Sequence, residues 1–284
     1  LYQAIWARLF GCRHIFFSWE NITYENKFRG INLVIKKCIL RLTIALSDGI
    51  ICGNTEGERI LRRYTHKAIE IIPMSGVDSD FFQPLPPRQE FQRHALAGKV
   101  VFTFAGAIGY RKGISYLLEA FTRVHQEMPD AFLIIAGSGE YENELQAAVK
   151  ARGLSGNILI VPWLDREQLR LLLAESRIFL YPSIAYEGWE EQFGYSMAEA
   201  LLMEVPVIAT KTGSIEEVVI HGETGILVKP NDPLTLKDAM LQLGRDGMLR
   251  QRLGKAGRRS IVERFSYEVV AQKLYRFFHR VLSL

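Results

Sequence analysis

Two glutamates, Glu191 and Glu199, stand eight positions apart with Phe193-Gly194 between them. A carboxylate accepts hydrogen bonds from hydroxyl groups, which a ribose and a sugar both offer. Glu191 falls in a loop after an apolar run, and Glu199 lies on the helix that follows. That helix opens near Gly194 and Tyr195, where unpaired N–H groups face an anion favourably. One carboxylate on either side of such a point suits a ligand that carries hydroxyls beside phosphate. A second element is the loop Gly106–Gly113, "GAIGYRKG", which holds Arg111 and Lys112 among its glycines. A lysine in a glycine-containing strand-to-helix loop neutralises charge that builds up on a departing phosphate.

These residues need a scaffold that brings two loops together, and the pattern from Lys99 onward supplies one. Val100–Ala105, Ala131–Ala136, Asn157–Val161, Ile178–Tyr181 and Val207–Thr210 are short apolar runs that read as strands. Between them lie helical patterns, such as Ile114–Gln126 with Leu117, Leu118, Phe121 and Val124 at helical spacing, and Glu142–Ala151. Continuous apolar strands alternating with helices predict an α/β fold with a parallel, doubly wound sheet covered on both faces. In such a sheet ligands bind outside the carboxyl ends of the strands. Both chemical elements sit at such ends.

The region before Lys99 shows less of the same grammar. Arg13–Ser18, Gly49–Cys52 and Ala68–Ile72 read as strands, with a long helix between the first two. A doubly wound domain normally has five or six strands, so this one is expected to be incomplete, with an open sheet edge and an uncovered apolar face. The opening pattern LYQAIWARLF is helix-like from Leu1 onward, and the expectation is a chain that starts inside a domain. The predicted division is a partial N-terminal domain over 1–83, a Pro-rich linker over 84–98, a second domain over 99–265 and an amphipathic helix over 266–284.

The stretch Tyr181–Asp232 resembles the glycosyltransferase group 1 family (family four, GT-B fold). The likeness rests on Glu-x7-Glu at Glu191 and Glu199, the Pro-Ser before it, Val-Pro-Val-Ile-Ala-Thr after it, and Gly-x-x-Gly-x-Leu-Val-x-Pro beyond. It implies two doubly wound Rossmann-like domains, the N-terminal one incomplete here. It also implies retaining transfer of a sugar from a nucleoside diphosphate sugar, with no cofactor and no metal, in polysaccharide or glycolipid synthesis. By the same resemblance Glu191 and Lys112 are the catalytic pair, Glu191 holding donor-sugar hydroxyls and Lys112 the diphosphate. Glu199 holds the ribose, and Gly106, Arg111, Phe193, Gly194 and Tyr195 surround the donor. Gly137 and Gly139 lie near the base, as do Trp163 and Leu164. Ser18, Glu20 and Asn21 stand on the acceptor side, with a sugar or a lipid-linked molecule as acceptor. Departures are Ala107 where relatives carry arginine, Trp163 where they carry glycine, and a Gly-Gly-x-x-Glu turn matched only in part by Thr212-Gly213-Ser214 and Glu216. The final helix, with Phe277 and Phe278, resembles the family helix that returns to the N-terminal domain.

Composition removes several other classes. Cys12, Cys38 and Cys52 have no Cys-x-x-Cys spacing, which argues against a disulfide framework or a zinc site and suits a reducing cytoplasm. A net charge of +4 over 284 residues is too slight to indicate nucleic acid. Lys36, Lys37 and Arg41 interrupt Ile31–Ile51, so that stretch does not read as a bilayer span. With Lys27 and Arg29 they form a basic, apolar-backed segment that fits peripheral contact with the inner face of a membrane. A dehydrogenase is excluded because Gly106, Gly109 and Gly113 do not give G-x-G-x-x-G. A non-catalytic nucleotide-sugar-binding protein and a UDP-sugar epimerase remain as alternatives.

Overall fold

The structure, a computed structural model, describes residues 1–86, 96 and 98–283. Most of the expected linker, 84–98, lies outside the described residues. The first half carries a parallel three-stranded sheet of β1 (Ile15–Ser18), β2 (Gly49–Cys52) and β3 (Ile69–Ile71), in that spatial order. Helices α1 (Tyr2–Leu9), α2 (Tyr24–Lys27), α3 (Gly30–Leu46) and α4 (Thr55–Leu61) accompany it. Helix α3 buries Leu40 and Ile44 against the sheet, while Ile31, Val34, Ile35 and Leu42 form an exposed apolar row. Tyr2, Trp6, Leu9 and Phe10 of the α1 region are exposed as well.

The second half is a six-stranded parallel sheet: β4 (Val100–Ala105), β5 (Ala131–Ala136), β6 (Ile158–Val161), β7 (Ile178–Tyr181), β8 (Val207–Thr210) and β9 (Gly225–Val228). Its order, β6-β5-β4-β7-β8-β9, is that of a doubly wound fold whose winding reverses between β4 and β7. Helices α5 (Ile114–Glu127), α6 (Glu142–Ala151), α7 (Arg166–Glu175), α8 (Tyr195–Leu202), α9 (Ile215–Val218), α10 (Pro233–Arg245) and α11 (Gly247–Phe265) cover it. The five strands anticipated from sequence are all present, and β9 adds a sixth. Its four residues are too few to show a period, and only pairing with β8 makes them a strand. Two apolar clusters fill the two faces of this sheet, one centred on Phe102, Phe121 and Leu133 and the other on Phe179, Met197 and Val207.

Helix α12 (Tyr267–Leu282) returns to the three-stranded sheet. Val270, Leu274, Phe277 and Val281 pack on Ile15, Ile51 and Ile72. The approach is close enough that a Cβ on Gly49 would lie 2.7 Å from both Phe277 and Val281. Phe277 is 3% exposed, but Phe278 is 43% exposed. The two differ because a helix turns about 100° per residue, so neighbours cannot share one narrow face. At the crossing, Val77 N–H donates to Phe265 O at 2.8 Å and Tyr267 N–H to Val77 O at 3.1 Å, tying the two halves together.

Candidate active site

The winding reversal places the loops after β4 and β7 side by side, and these carry Lys112 and Glu191. The first loop ends in a single 3-10 turn, Tyr110–Lys112, and then Gly113 in a left-handed conformation at φ +67°. A Cβ at Gly113 would meet Pro182 O at 2.0 Å, so the two loops touch backbone to backbone there. This contact carries Lys112 under the second loop. Its Nζ lies 2.5 Å from Glu191 Oε2 and donates to Tyr181 OH at 2.9 Å. Tyr181 OH in turn donates to Glu191 Oε2 at 2.7 Å, with Ser183 Oγ at 3.3 Å.

All four side chains are buried. Burial pulls the Lys112 ammonium below its ordinary range, while the Glu191 charge opposes that and Arg111 adds to it. Burial, then the Glu191 charge, raise the Tyr181 phenol well above its ordinary value, so it stays protonated and donates. A cation, a carboxylate and a phenol thus share one small volume at the strand ends.

The backbone of Glu191 is held as firmly as its side chain. Its carbonyl accepts Ser214 N–H at 2.9 Å and Asn21 Nδ2 at 2.8 Å. A Cβ at Gly213, φ +54°, would sit 2.0 Å from that same oxygen, which accounts for glycine in the Thr212–Ser214 turn. Glu216 of the partly matched turn points outward, 3.8 Å from Lys211. Glu217 is the inward residue: its carboxylate accepts Thr55 N–H at 3.0 and 3.2 Å, across to the three-stranded half. Burial raises its carboxyl above the ordinary range.

A cleft of about 510 Å³ opens over this network. Among its walls are Gly106, Arg111, Lys112, Trp163, Leu164 and Glu191. Phe193, Gly194, Tyr195 and Glu199 complete the set that sequence assigned to the donor and that the fold brings together. Gly194, at φ +84°, starts α8, whose first amides have no partner within the helix. Ser196 Oγ donates to Ala105 O at 2.9 Å and fixes that helix start against β4. Burial raises the Glu199 carboxyl to about 7, with Arg166 pulling the other way. Arg111 lies over the Trp189 ring at 4.2 Å and, like Ala107, lines the cleft.

Other assigned residues lie elsewhere. Gly137 and Gly139 do not line the cleft. They pack against the first loop, where added Cβ atoms would meet Gly106 O at 1.9 Å and Ile108 O at 2.5 Å. Ser18 is buried at the end of β1, and Glu20 pairs with Lys27. Asn21 spends its amide on the carbonyls of Glu190 and Glu191, so it supports the Glu191 loop from the other half of the chain. Sequence reading passed over Trp19, Tyr181, Arg166 and Gln192, all in the cleft wall. Trp19 O accepts Gln192 Nε2 at 2.6 Å, a second link between the halves. Only Tyr181 carried a signal, as the last residue of an apolar run directed at the site.

Comparison with known proteins adds the decisive observation: residues 87–260 match the model of the glycosyl transferases group 1. The chain belongs to that family. It is 31% identical over 225 residues to a GDP-mannose-dependent monoacylated alpha-(1-6)-phosphatidylinositol monomannoside mannosyltransferase of Corynebacterium glutamicum, covering 75% of this chain and 58% of the relative. It is 29% identical over 253 residues to a phosphatidyl-myo-inositol mannosyltransferase of Mycobacterium leprae, covering 85% and 64%. The chain therefore spans about three fifths of the length of such relatives. Among solved structures, Anabaena HepE in complex with UDP and glucose superposes with a TM-score of 0.81 at 19% identity, covering 98% of this chain and 74% of that one. A sucrose-phosphate synthase from Thermosynechococcus elongatus gives 0.78 at 23% identity, covering 96% and 68%. The fold is GT-B, with a six-stranded Rossmann-like domain facing a second sheet of three strands among the described residues.

Proposed function

We propose that this chain acts as a retaining hexosyltransferase, moving a sugar from a nucleoside diphosphate sugar to an acceptor hydroxyl without a metal. One observation carries the reading: the Lys112 ammonium and Glu191 carboxylate meet at the winding reversal and line the same cleft as the start of α8. As the bond from anomeric carbon to diphosphate breaks, its electron pair leaves with the diphosphate, the acceptor oxygen bonds that carbon from the same face, and the acceptor's proton passes to the departing phosphate oxygen. Lys112 and the amides of Gly194 and Tyr195 neutralise that charge as it grows. Glu191 holds hydroxyls of the donor sugar, and Glu199 holds the ribose. The GDP-mannose dependence in the name of the Corynebacterium glutamicum relative and the UDP and glucose bound by HepE support a nucleotide-sugar donor.

Thermal stabilisation across a panel of UDP-, GDP- and ADP-sugars tests donor binding and identifies the base. Nuclear magnetic resonance of the product, with and without a chelator, tests the rest. An inverted anomeric centre or activity lost to the chelator refutes the corresponding claim.

Ala107 favours a second reading, a nucleotide-sugar-binding protein without catalysis. Arg111, held over Trp189 in the cleft wall, provides a replacement cation and favours the enzyme. Donor turnover separates the two readings.

The acceptor we propose is a sugar or a lipid-linked molecule, in cell-surface polysaccharide or glycolipid synthesis at the inner face of the membrane. No helix among the described residues is long and apolar enough to cross a membrane. The exposed row Ile31, Val34, Ile35 and Leu42, with Lys36 and Arg41 on the same helix, supports contact with an anionic lipid surface. Flotation with anionic vesicles tests this, and absence of retention refutes it.

A further inference from the structure

A second cavity, of about 260 Å³, lies where the carboxyl end of the three-stranded sheet faces the other half. Asn54 beyond β2, Pro73 beyond β3, Ser214 and Glu217 at α9, Arg264 of α11 and Lys273 of α12 line it. Gln192 and Phe193 separate it from the donor cleft and line both.

Asn54 Nδ2, on a residue that is 1% exposed, has no hydrogen-bond partner, and Ser214 Oγ, on a residue that is 3% exposed, has the Glu217 carboxylate beside it. The orientation of the Asn54 amide follows from its role as helix cap. Its Oδ1 accepts Gly57 N–H at 2.7 Å, so the unpaired atom is the NH₂ donor. A buried donor left without a partner is costly, so Asn54 Nδ2 beside a cavity that two cations also line points to an occupant.

The charged groups indicate what kind. Arg264 donates to Glu217 O and, at 3.2 Å, to Ser260 Oγ, while Lys273 Nζ donates to Arg264 O at 3.4 Å. Both cations are thus hydrogen-bonded to uncharged oxygens. The single carboxylate, Glu217, is already engaged by Thr55 N–H. The lining holds more donors and positive charge than acceptors and negative charge.

We propose that this cavity binds a small oxyanion of the phosphate class, held by Asn54, Ser214 and Lys273. Asn54 belongs to the three-stranded half, Ser214 to the six-stranded half, and Lys273 to the helix that joins them. An anion in contact with all three ties the halves together and favours whichever arrangement keeps them close. The cavity volume exceeds what phosphate alone needs, so a small phosphate ester also fits.

The test titrates inorganic phosphate and, separately, glycerol phosphate into the whole chain, followed by calorimetry and thermal unfolding. Asn54→Asp keeps the cap oxygen and removes the free donor. Ser214→Ala and Lys273→Gln remove the other two contacts without touching the cap. Lys112→Ala serves as the control for phosphate entering the donor cleft. Binding should survive in Lys112→Ala and weaken by about tenfold or more in Asn54→Asp and Lys273→Gln. If only the ester binds, the natural ligand is a phosphate ester; if only inorganic phosphate binds, it is the free anion. Three results overturn the proposal: no binding of either ligand, loss of binding in Lys112→Ala, or affinity unchanged in all three cavity variants. The first leaves water as the occupant.

Discussion

Replacing Glu199 by glutamine should remove a pH dependence that the wild-type protein carries in two separate measurements. Burial lifts the Glu199 carboxyl from 4.5 to about 7, so near neutrality the folded protein holds a proton that the unfolded chain has released. A raised carboxyl pKa stabilises the fold fully below about 4.5, and that contribution is lost as pH rises through about 7. The shift corresponds to roughly 3 kcal/mol in all, of which the greater part is gone by pH 7. Urea unfolding between pH 5 and 8 should therefore show wild type losing stability relative to Glu199→Gln, by about 1–3 kcal/mol. Donor binding runs the other way. A ribose hydroxyl donates most strongly to an ionised carboxylate, so affinity for a nucleotide sugar should rise about tenfold from pH 6 to pH 8. A nucleotide sugar is the right probe, because its doubly esterified diphosphate does not itself titrate in this range. The glutamine variant should bind with a flat pH profile. An equal slope in wild type and variant, in either assay, would show that Glu199 is not the group responsible and refute the ribose assignment.

Lys112→Ala should weaken binding of a nucleoside diphosphate by about 1.5–3 kcal/mol, measured by calorimetry, and unaltered affinity would contradict its role. The same variant leaves Glu191 buried without its cation, so its unfolding midpoint should also fall. Glu191→Ala should weaken nucleotide-sugar binding and spare free nucleotide, whereas Glu199→Ala should weaken both; equal losses throughout would merge the two roles. Phe277→Ala should cost about 3–5 kcal/mol of stability by denaturant unfolding, and Phe278→Ala less than about 1. Similar costs for the two would mean that α12 does not sit on the three-stranded sheet as described.

Sequence determined the repeating units of this protein. Continuous apolar runs between helical patterns were enough for the parallel α/β architecture, because strands buried on both faces leave no polar alternation. The order of chemistry was also readable: a glycine-containing loop with Lys112, and then Glu-x7-Glu around a helix start. Both signals are local, set by residues within one turn or one loop of each other. Tertiary structure decided everything that depends on which distant residues meet. The pairing of Lys112 with Glu191, 2.5 Å apart across 79 positions, exists because the winding reverses between β4 and β7. Gly137 and Gly139 resembled a ligand loop, yet their small size serves the packing of that loop on Gly106 and Ile108. Asn21 looked like an acceptor contact, but its amide holds the Glu191 loop from 170 residues away. The partly matched turn pointed to Glu216, and only the direction of the short helix α9 turns Glu217 inward instead. Strand β9 and the inward face of α12 likewise need a neighbour before they have meaning. A residue type and its spacing say what a side chain is able to do. Which groups stand within hydrogen-bond reach of it is settled by packing between segments far apart in the chain.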